Sequence, residues 1–383
     1  MIKKPTNLVV RCFMLGLFLS SLAVPGGGAP ASDARQQAPQ SGEIVLTLPA
    51  APLAISWSPS GKDCIYVLGE ELRDWPRGRR LHLGRPDAAG GYWTSTARWR
   101  QDGTEVAVVL ATTVHVINFE QFAIKRRLRN TFPVWWSGRT LCYAQAKQDW
   151  TPAGHQAWYC GNTRHRTPRG TYLSDVSEDG KVALTYLARS HEPQEALMAL
   201  DSRRGRFRLL RAFPPTRGDG SDYHDPERVV MKWNPGVRAA AVLYAFTWTD
   251  TGSLVAYYAD GRREYRVGQA ISDYLAFADE PPDWAGDRVL AKVRLFTEYD
   301  RQGQHIAEDW YRLVLWDPKR AEVRALLNYG GERSEDPKQI SPHDPLGVFA
   351  LSPDGKRLAY SRFEQKETAY KLIITDLAAL VPQ

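Results

Sequence analysis

Runs of apolar residues recur along the chain, and each follows a bulky residue and a short polar turn that ends in glycine. Trp57-Ser-Pro-Ser-Gly61 leads into Cys64-Ile-Tyr-Val-Leu68, Trp99-Arg-Gln-Asp-Gly103 into Val106-Ala-Val-Val-Leu110, and Leu351-Ser-Pro-Asp-Gly355 into Leu358-Ala-Tyr360. Seven such turns end at Gly61, Gly103, Gly138, Gly180, Gly236, Gly286 and Gly355, spaced by 49 residues on average. That period suits the four-stranded blade of a propeller; helical solenoid repeats are shorter and carry a helical periodicity absent here.

Each repeat reads as four strands, a to d. Strand a ends in a bulky residue four before the glycine, as at Trp57, Trp99, Val176 and Leu351. Proline presets the turn, Asp bonds its own backbone, and Gly takes the left-handed conformation. Strand b is continuously apolar, the signature of a strand covered on both faces. Strand c alternates and ends in Asp, as in Leu197-Met-Ala-Leu-Asp201, Leu313-Val-Leu-Trp-Asp317 and Leu372-Ile-Ile-Thr-Asp376. A polar hairpin then leads to strand d, as in Phe207-Arg-Leu-Leu210 and Val323-Arg-Ala-Leu326.

Some repeats depart from the pattern. The third and fifth turns shorten to Trp136-Ser-Gly138 and Trp233-Asn-Pro-Gly236, and Ala278 to Gly286 reads as an enlarged turn in the sixth. The first has a weak strand c around Glu71 to Trp75. The seventh supplies only strands a to c, whereas Glu43-Ile-Val-Leu-Thr-Leu48 is an alternating strand with no repeat of its own. The sequence therefore predicts an all-β, seven-bladed propeller over 43–383, closed by the leading strand pairing beside Tyr370–Thr375; closure removes free sheet edges.

Ser352-Pro-Asp-Gly-Lys-Arg-Leu-Ala-Tyr360 resembles the repeat of TolB-type, WD-like bacterial propellers, and Trp57-Ser-Pro-Ser-Gly-Lys62 and Ser177-Glu-Asp-Gly-Lys181 are similar. The resemblance covers about 43–377 and is specific for fold. It implies a periplasmic binding or scaffold protein, or the propeller half of a prolyl oligopeptidase-like peptidase. TolB-type proteins carry an α/β domain before the propeller, for which Ala31 to Glu43 leaves no room.

Composition is ordinary for a globular chain: 383 residues, 43% hydrophobic, 24% charged and 11% aromatic. Lys3 and Lys4, an apolar stretch from Leu8 to Val24 broken by Arg11, and Ala29-Pro-Ala31 read as an export signal over 1–31. The stretch is short of the roughly 20 residues that span a bilayer, so no span is expected in the mature chain. Residues 32–42 read as a disordered linker, and the location as periplasmic or secreted. Removing 1–31 takes the net charge from +7 to +4, too weak to argue for nucleic acid. Basic clusters such as Lys125-Arg-Arg127 and Arg203-Arg204-Gly-Arg206 read as solvated turns or edge strands, where charge discourages aggregation. An exported chain meets oxidising surroundings, and Cys142 and Cys160 lie in successive strands around a loop near Trp150, so they are candidates for a disulfide. Cys64 reads as a buried apolar residue.

In this fold the a–b and c–d turns share one face of the disc, and the b–c and d–a loops share the other. The insertions collect in the second class: Gln145 to His155, Arg189 to Glu195, Phe246 to Gly252 and Thr297 to Asp309 between strands b and c, and Arg211 to Arg228 and Asn328 to Gly347 between d and a. Trp150, His155, His191, Tyr223, His224, Trp248, Tyr299 and His305 make that face a candidate binding surface. Asp219 to Glu227 is the densest acidic segment, without the ligand order of an EF-hand. No zinc spacing, phosphate loop or G-x-S-x-G nucleophile elbow occurs. No cofactor is expected. The leading expectation is a monomeric, non-catalytic exported propeller that binds a protein or cell-envelope component. The alternative is an enzyme with its site at the central channel, such as a propeller-fold polysaccharide lyase, in which His155, His191, His224 and His305 would converge on a metal.

Overall fold

A computed structural model describes residues 43–84, 96–110, 113–129, 131–145, 156–187, 194–213, 228–246, 251–259, 264–266, 275–277, 281–299, 305–330, 346–364 and 367–380. The expected export signal 1–31 and linker 32–42 lie outside these residues, as does the acidic segment 219–227.

The described chain is almost wholly antiparallel strand, arranged as seven blades in a ring. Blade 1 is Ala54–Trp57, Cys64–Leu68, Glu71–Trp75 and Arg80–His82. Blade 2 is Thr96–Trp99, Glu105–Leu110, Thr113–Asn118 and Ala123–Arg129. Blade 3 is Thr131–Ser137, Thr140–Gln145, Ala157–Cys160 and Thr163–Arg166. Blade 4 is Thr171–Val176, Val182–Leu187, Gln194–Asp201 and Arg206–Phe213. Blade 5 is Arg228–Asn234, Ala239–Phe246, Thr251–Tyr258 and Glu264–Arg266. Blade 6 has strands b to d at Arg288–Tyr299, His305–Asp317 and Glu322–Gly330. Blade 7 is Leu346–Leu351, Arg357–Glu364 and Ala369–Asp376.

The a strands touch in succession from blade 1 to blade 7, and that of blade 7 touches that of blade 1. The leading strand Ile44–Leu48 completes the last sheet, with Ile44 opposite Ile374 and Leu48 opposite Tyr370. This is the predicted closure. The core is distributed: each of the seven gaps between neighbouring blades holds its own apolar layer. Every b strand therefore meets apolar neighbours on both faces, and Glu105–Leu110 is buried throughout.

The repeated turn is built alike in several blades. In blades 1, 4 and 7 the glycine N–H donates to the carbonyl of Ser58, Ser177 or Ser352, each at 2.8 Å. The same serine hydroxyls accept the N–H of Asp63, Val182 and Arg357. Six of the seven predicted turn glycines have positive φ. Gly236 does not; in that shortened turn the left-handed residue is Arg238, at φ 53°.

Three other expectations are corrected. Thr297 to Asp309 is not a loop insertion but a hairpin extension, with strands b and c of blade 6 paired out to Tyr299 and His305; β-branched and aromatic residues such as Thr297, Ile306 and Trp310 continue the ladder. Ala278 to Gly286 is not an enlarged turn. Asp283–Ala285 is the inner end of strand a, and a further piece, Leu275–Phe277, pairs with the same b strand. Pro281 and Pro282 lie between the two pieces and bring no N–H to the ladder. Strand d of blade 4 runs to Phe213, so Arg211 belongs to the sheet and not to the insertion after it.

Cys142 and Cys160 are direct register partners and form a disulfide. Cys64 is fully buried, and burial pushes its thiol pKa upward.

Candidate functional site

Antiparallel blades put every b–c and d–a connection at one end of the disc. The strand ends Gln145 and Ala157, Leu187 and Gln194, Phe246 and Thr251, and Phe213 and Arg228 all stand at that end. Of the predicted surface, Trp150, His155, His191, Tyr223, His224 and Trp248 lie outside the described residues. Tyr299 and His305 are within them and are brought together, as register partners at the outermost rung of the blade 6 b–c hairpin.

The opposite mouth of the channel, where strands a run into the a–b turns, carries a charge cluster with defined geometry. Arg98 on blade 2 lies 3.7 Å from Asp175 and 3.2 Å from Glu178, both on blade 4. Lys232 on blade 5 lies 2.7 Å from Glu178 and 3.5 Å from Asp283 on blade 6. The Asp175 carboxylate also accepts the backbone N–H of Val176 and of Met231, each at 2.7 Å. That of Asp283 accepts N–H from Trp284 at 2.8 Å and from Leu351 on blade 7 at 3.2 Å.

Burial grades across the cluster, from an Asp175 side chain with no exposure to a Glu178 side chain 47% exposed. Burial works against the Glu178 charge, but Lys232 and Arg98 outweigh it and hold the carboxyl down at about 2. Lys232 is shifted upward, because Asp283 and Glu178 more than offset its own desolvation. Glu178 stays ionised at neutral pH, so it has no proton to give as a general acid. Each charge faces an opposite one, and the chain of contacts ties blades 2, 4, 5, 6 and 7 together. The cluster is a set of staples across the ring. Indole N–H groups add more: Trp57 donates to the Ala350 carbonyl, Trp136 to Arg98 and Trp284 to Lys232, each on the preceding blade.

Sequence reasoning had passed over these residues, yet the signal was present. Arg98, Asp175, Lys232 and Asp283 each stand one position before a bulky residue at or one short of the end of strand a, namely Trp99, Val176, Trp233 and Trp284. Equal positions in a ring repeat share one radius and height, so charges at that offset collect at one mouth of the channel. Among the described residues no group of three or more His, Cys, Asp or Glu is placed to hold a metal ion. No helix among them is long and apolar enough to cross a membrane.

No protein-family model matches the chain, and no curated protein matches it. Solved structures do. The chain is similar to U3-55K at 9% identity, with 86% of this chain and 98% of that one covered and a TM-score of 0.47. It is similar to TolB from Acinetobacter baumannii at 10% identity over 77% of this chain and 65% of that one, TM-score 0.38. It is also similar to the β-propeller domain of the Trilobed protease from Pyrococcus furiosus, at 12% identity over 76% and 95%, TM-score 0.43.

Proposed function

We propose that the protein is an exported, non-catalytic propeller that binds a protein or cell-envelope component through the face on which its b–c and d–a connections begin and end. The observation that carries this reading is the division of labour between the two faces. At the a–b face, turns are short and the charges at the channel mouth are spent on one another, stapling blades together. The opposite face receives every long connection, and rigid scaffolds place recognition in such loops. Export is supported by the charged start, apolar stretch and Ala29-Pro-Ala31 of the sequence, and by the Cys142–Cys160 disulfide, a bond that persists in oxidising compartments.

Alanine at Trp150, Trp248 and Tyr299 together is expected to abolish capture of a partner from envelope extracts, with the thermal midpoint unchanged. Capture equal to that of the unsubstituted protein rejects this face as the binding surface.

A further inference from the structure

We infer that the outer edge of the seam between blades 2 and 3 binds an acidic glycan, a sugar chain bearing carboxylate groups. Register fixes which side chains face it. On blade 2, Arg126 lies opposite Val116 and Leu128 opposite Val114, and both valines belong to the apolar layer shared with blade 3. On blade 3, Tyr143 packs on that same layer. Tyr159 is its register partner, and Arg164 is the partner of Tyr159. Arg166, two residues on, points to the same side.

The Tyr143 and Tyr159 rings are stacked, with centroids 5.5 Å apart and planes 18° apart. Both are half-buried. The Arg126 guanidinium lies 6.0 Å over the Tyr143 ring. Arg126, Arg164 and Arg166 are exposed, and none of them has an ion pair among the described residues. Near-parallel aromatic rings offer the apolar C–H face of a pyranose a platform, and flanking guanidiniums meet its acid groups in a planar fork.

The other face of blade 3 shows what a closed gap looks like. There Trp158 stacks on His165 at 4.3 Å and meets Trp135 and Phe207, filling the space out to the last strand. On the tyrosine face the apolar layer ends instead in half-buried Leu128 and Tyr143, with Arg126 over the Tyr143 ring. The neighbouring potential has the matching sign. The outer strand of blade 2 adds Arg127 and Arg129, while its Lys125 pairs with Glu105, and that of blade 4 adds Arg206 and Arg208. The outer strands of blades 5 to 7 are balanced or uncharged: Glu264 with Arg266, Glu322 with Arg324, and Ile44–Leu48 with no charge. An arc of one sign draws a polyanion to the seam. The arc runs over three successive blades of a convex rim and the tyrosines sit within the gap. A flexible chain can follow that path, whereas a flat bilayer meets it only at a tangent. The seam opens on the rim and is independent of the loop-bearing face.

Titration calorimetry of the purified protein with alginate oligomers, and with dextran of equal length as the neutral control, tests this. Alginate is expected to bind and dextran not. Tyr159→Ala is expected to weaken alginate binding about tenfold, with Tyr159→Phe close to the unsubstituted protein. The pair Arg164→Gln and Arg166→Gln is expected to weaken binding and to flatten its salt dependence. The result that overturns the inference is alginate binding no tighter than dextran, or alginate binding indifferent to Tyr159→Ala in a variant that melts normally. Tighter binding of phosphatidylglycerol vesicles or double-stranded DNA than of alginate, independent of Tyr159, overturns it as well.

Discussion

Gly180 carries two constraints at once. Its φ is +68°, and a Cβ there would meet Trp135 Cδ1 and the Trp136 carbonyl oxygen, both at 2.8 Å. Gly286 has the same backbone, at φ +66°, with nothing within 4 Å. The pair separates backbone strain from crowding. Gly286→Ala is expected to cost about 1 kcal/mol, the penalty of a left-handed L-residue. Gly180→Ala is expected to cost about 3 kcal/mol, because the wall it meets is backbone and a buried indole that cannot turn aside. Urea unfolding midpoints of the two variants measure the difference, and equal midpoints would show that the blade 3–4 gap yields. The same indole explains why the turn cannot relax: Trp135 is fully buried and donates its N–H to Ser202, which in turn donates to the Gly180 carbonyl.

At the scale of the element, strand a does two jobs. In blades 2, 4, 5 and 6 its bulky terminal or penultimate residue fills an inter-blade gap, and the residue before that one reaches the channel mouth. Arg98→Met keeps the bulk of the stem but leaves Asp175 fully buried without that cation. Breaking a buried pair from one side is expected to cost about 3–5 kcal/mol. The pH dependence follows from Glu178. Its folded pKa lies below the ordinary carboxylate value, so its contribution is complete above about pH 4.5 and fades as pH falls toward 2. The side chain is 47% exposed, so solvent screening limits that contribution to on the order of 1 kcal/mol. Glu178→Gln is expected to lower stability at neutral pH and to flatten its slope across that acid window, read from urea midpoints at stepped pH; an unchanged slope would remove Glu178 from the network. How much of this was legible beforehand depended on the range of the interaction. The Ser-Pro-Asp-Gly turn and the buried b strands declare themselves within a dozen residues, and they set blade number, strand order and the Cys142–Cys160 register. The ion pairs of the cluster join residues up to 80 positions apart, Arg98 to Glu178, and only the repeat offset marks Arg98, Asp175, Lys232 and Asp283. Blade 6 misled because Pro281-Pro282 looks like a turn, while what it does is interrupt a strand whose inner piece, Asp283–Ala285, continues beyond it. The b–c and d–a surface is legible as a face, through strand ends, and of its candidate residues the register places Tyr299 opposite His305.

The whole molecule depends on a contact between residues more than 300 positions apart. Seven inter-blade layers share the core, so no single blade has a core of its own, and each is held by its two neighbours. The last blade is the exception in its chain connectivity, because its fourth strand arrives from the other end of the sequence. Ile44–Leu48 alternates, with Ile44, Leu46 and Leu48 turned toward the layer shared with blade 1 and Val45 outward. Leu48 is 3% exposed and Val45 40%. Removing the chain through Leu48 uncovers the full edge of Ala369–Asp376 and strips that layer of three apolar side chains. By area this is expected to cost roughly 4 kcal/mol. The bared edge is expected to make the protein associate as its concentration rises, since an uncovered strand is a template for another chain. A synthetic peptide of residues 43–50 added in trans is expected to restore the thermal midpoint and reverse that association, whereas the same peptide with Leu46 and Leu48 changed to Ser is expected to do neither. Calorimetry and sedimentation of the truncated protein with each peptide decide it. A truncated ring that keeps its midpoint unaided would mean that the apolar layers hold seven blades in a circle without the strand that joins the ends.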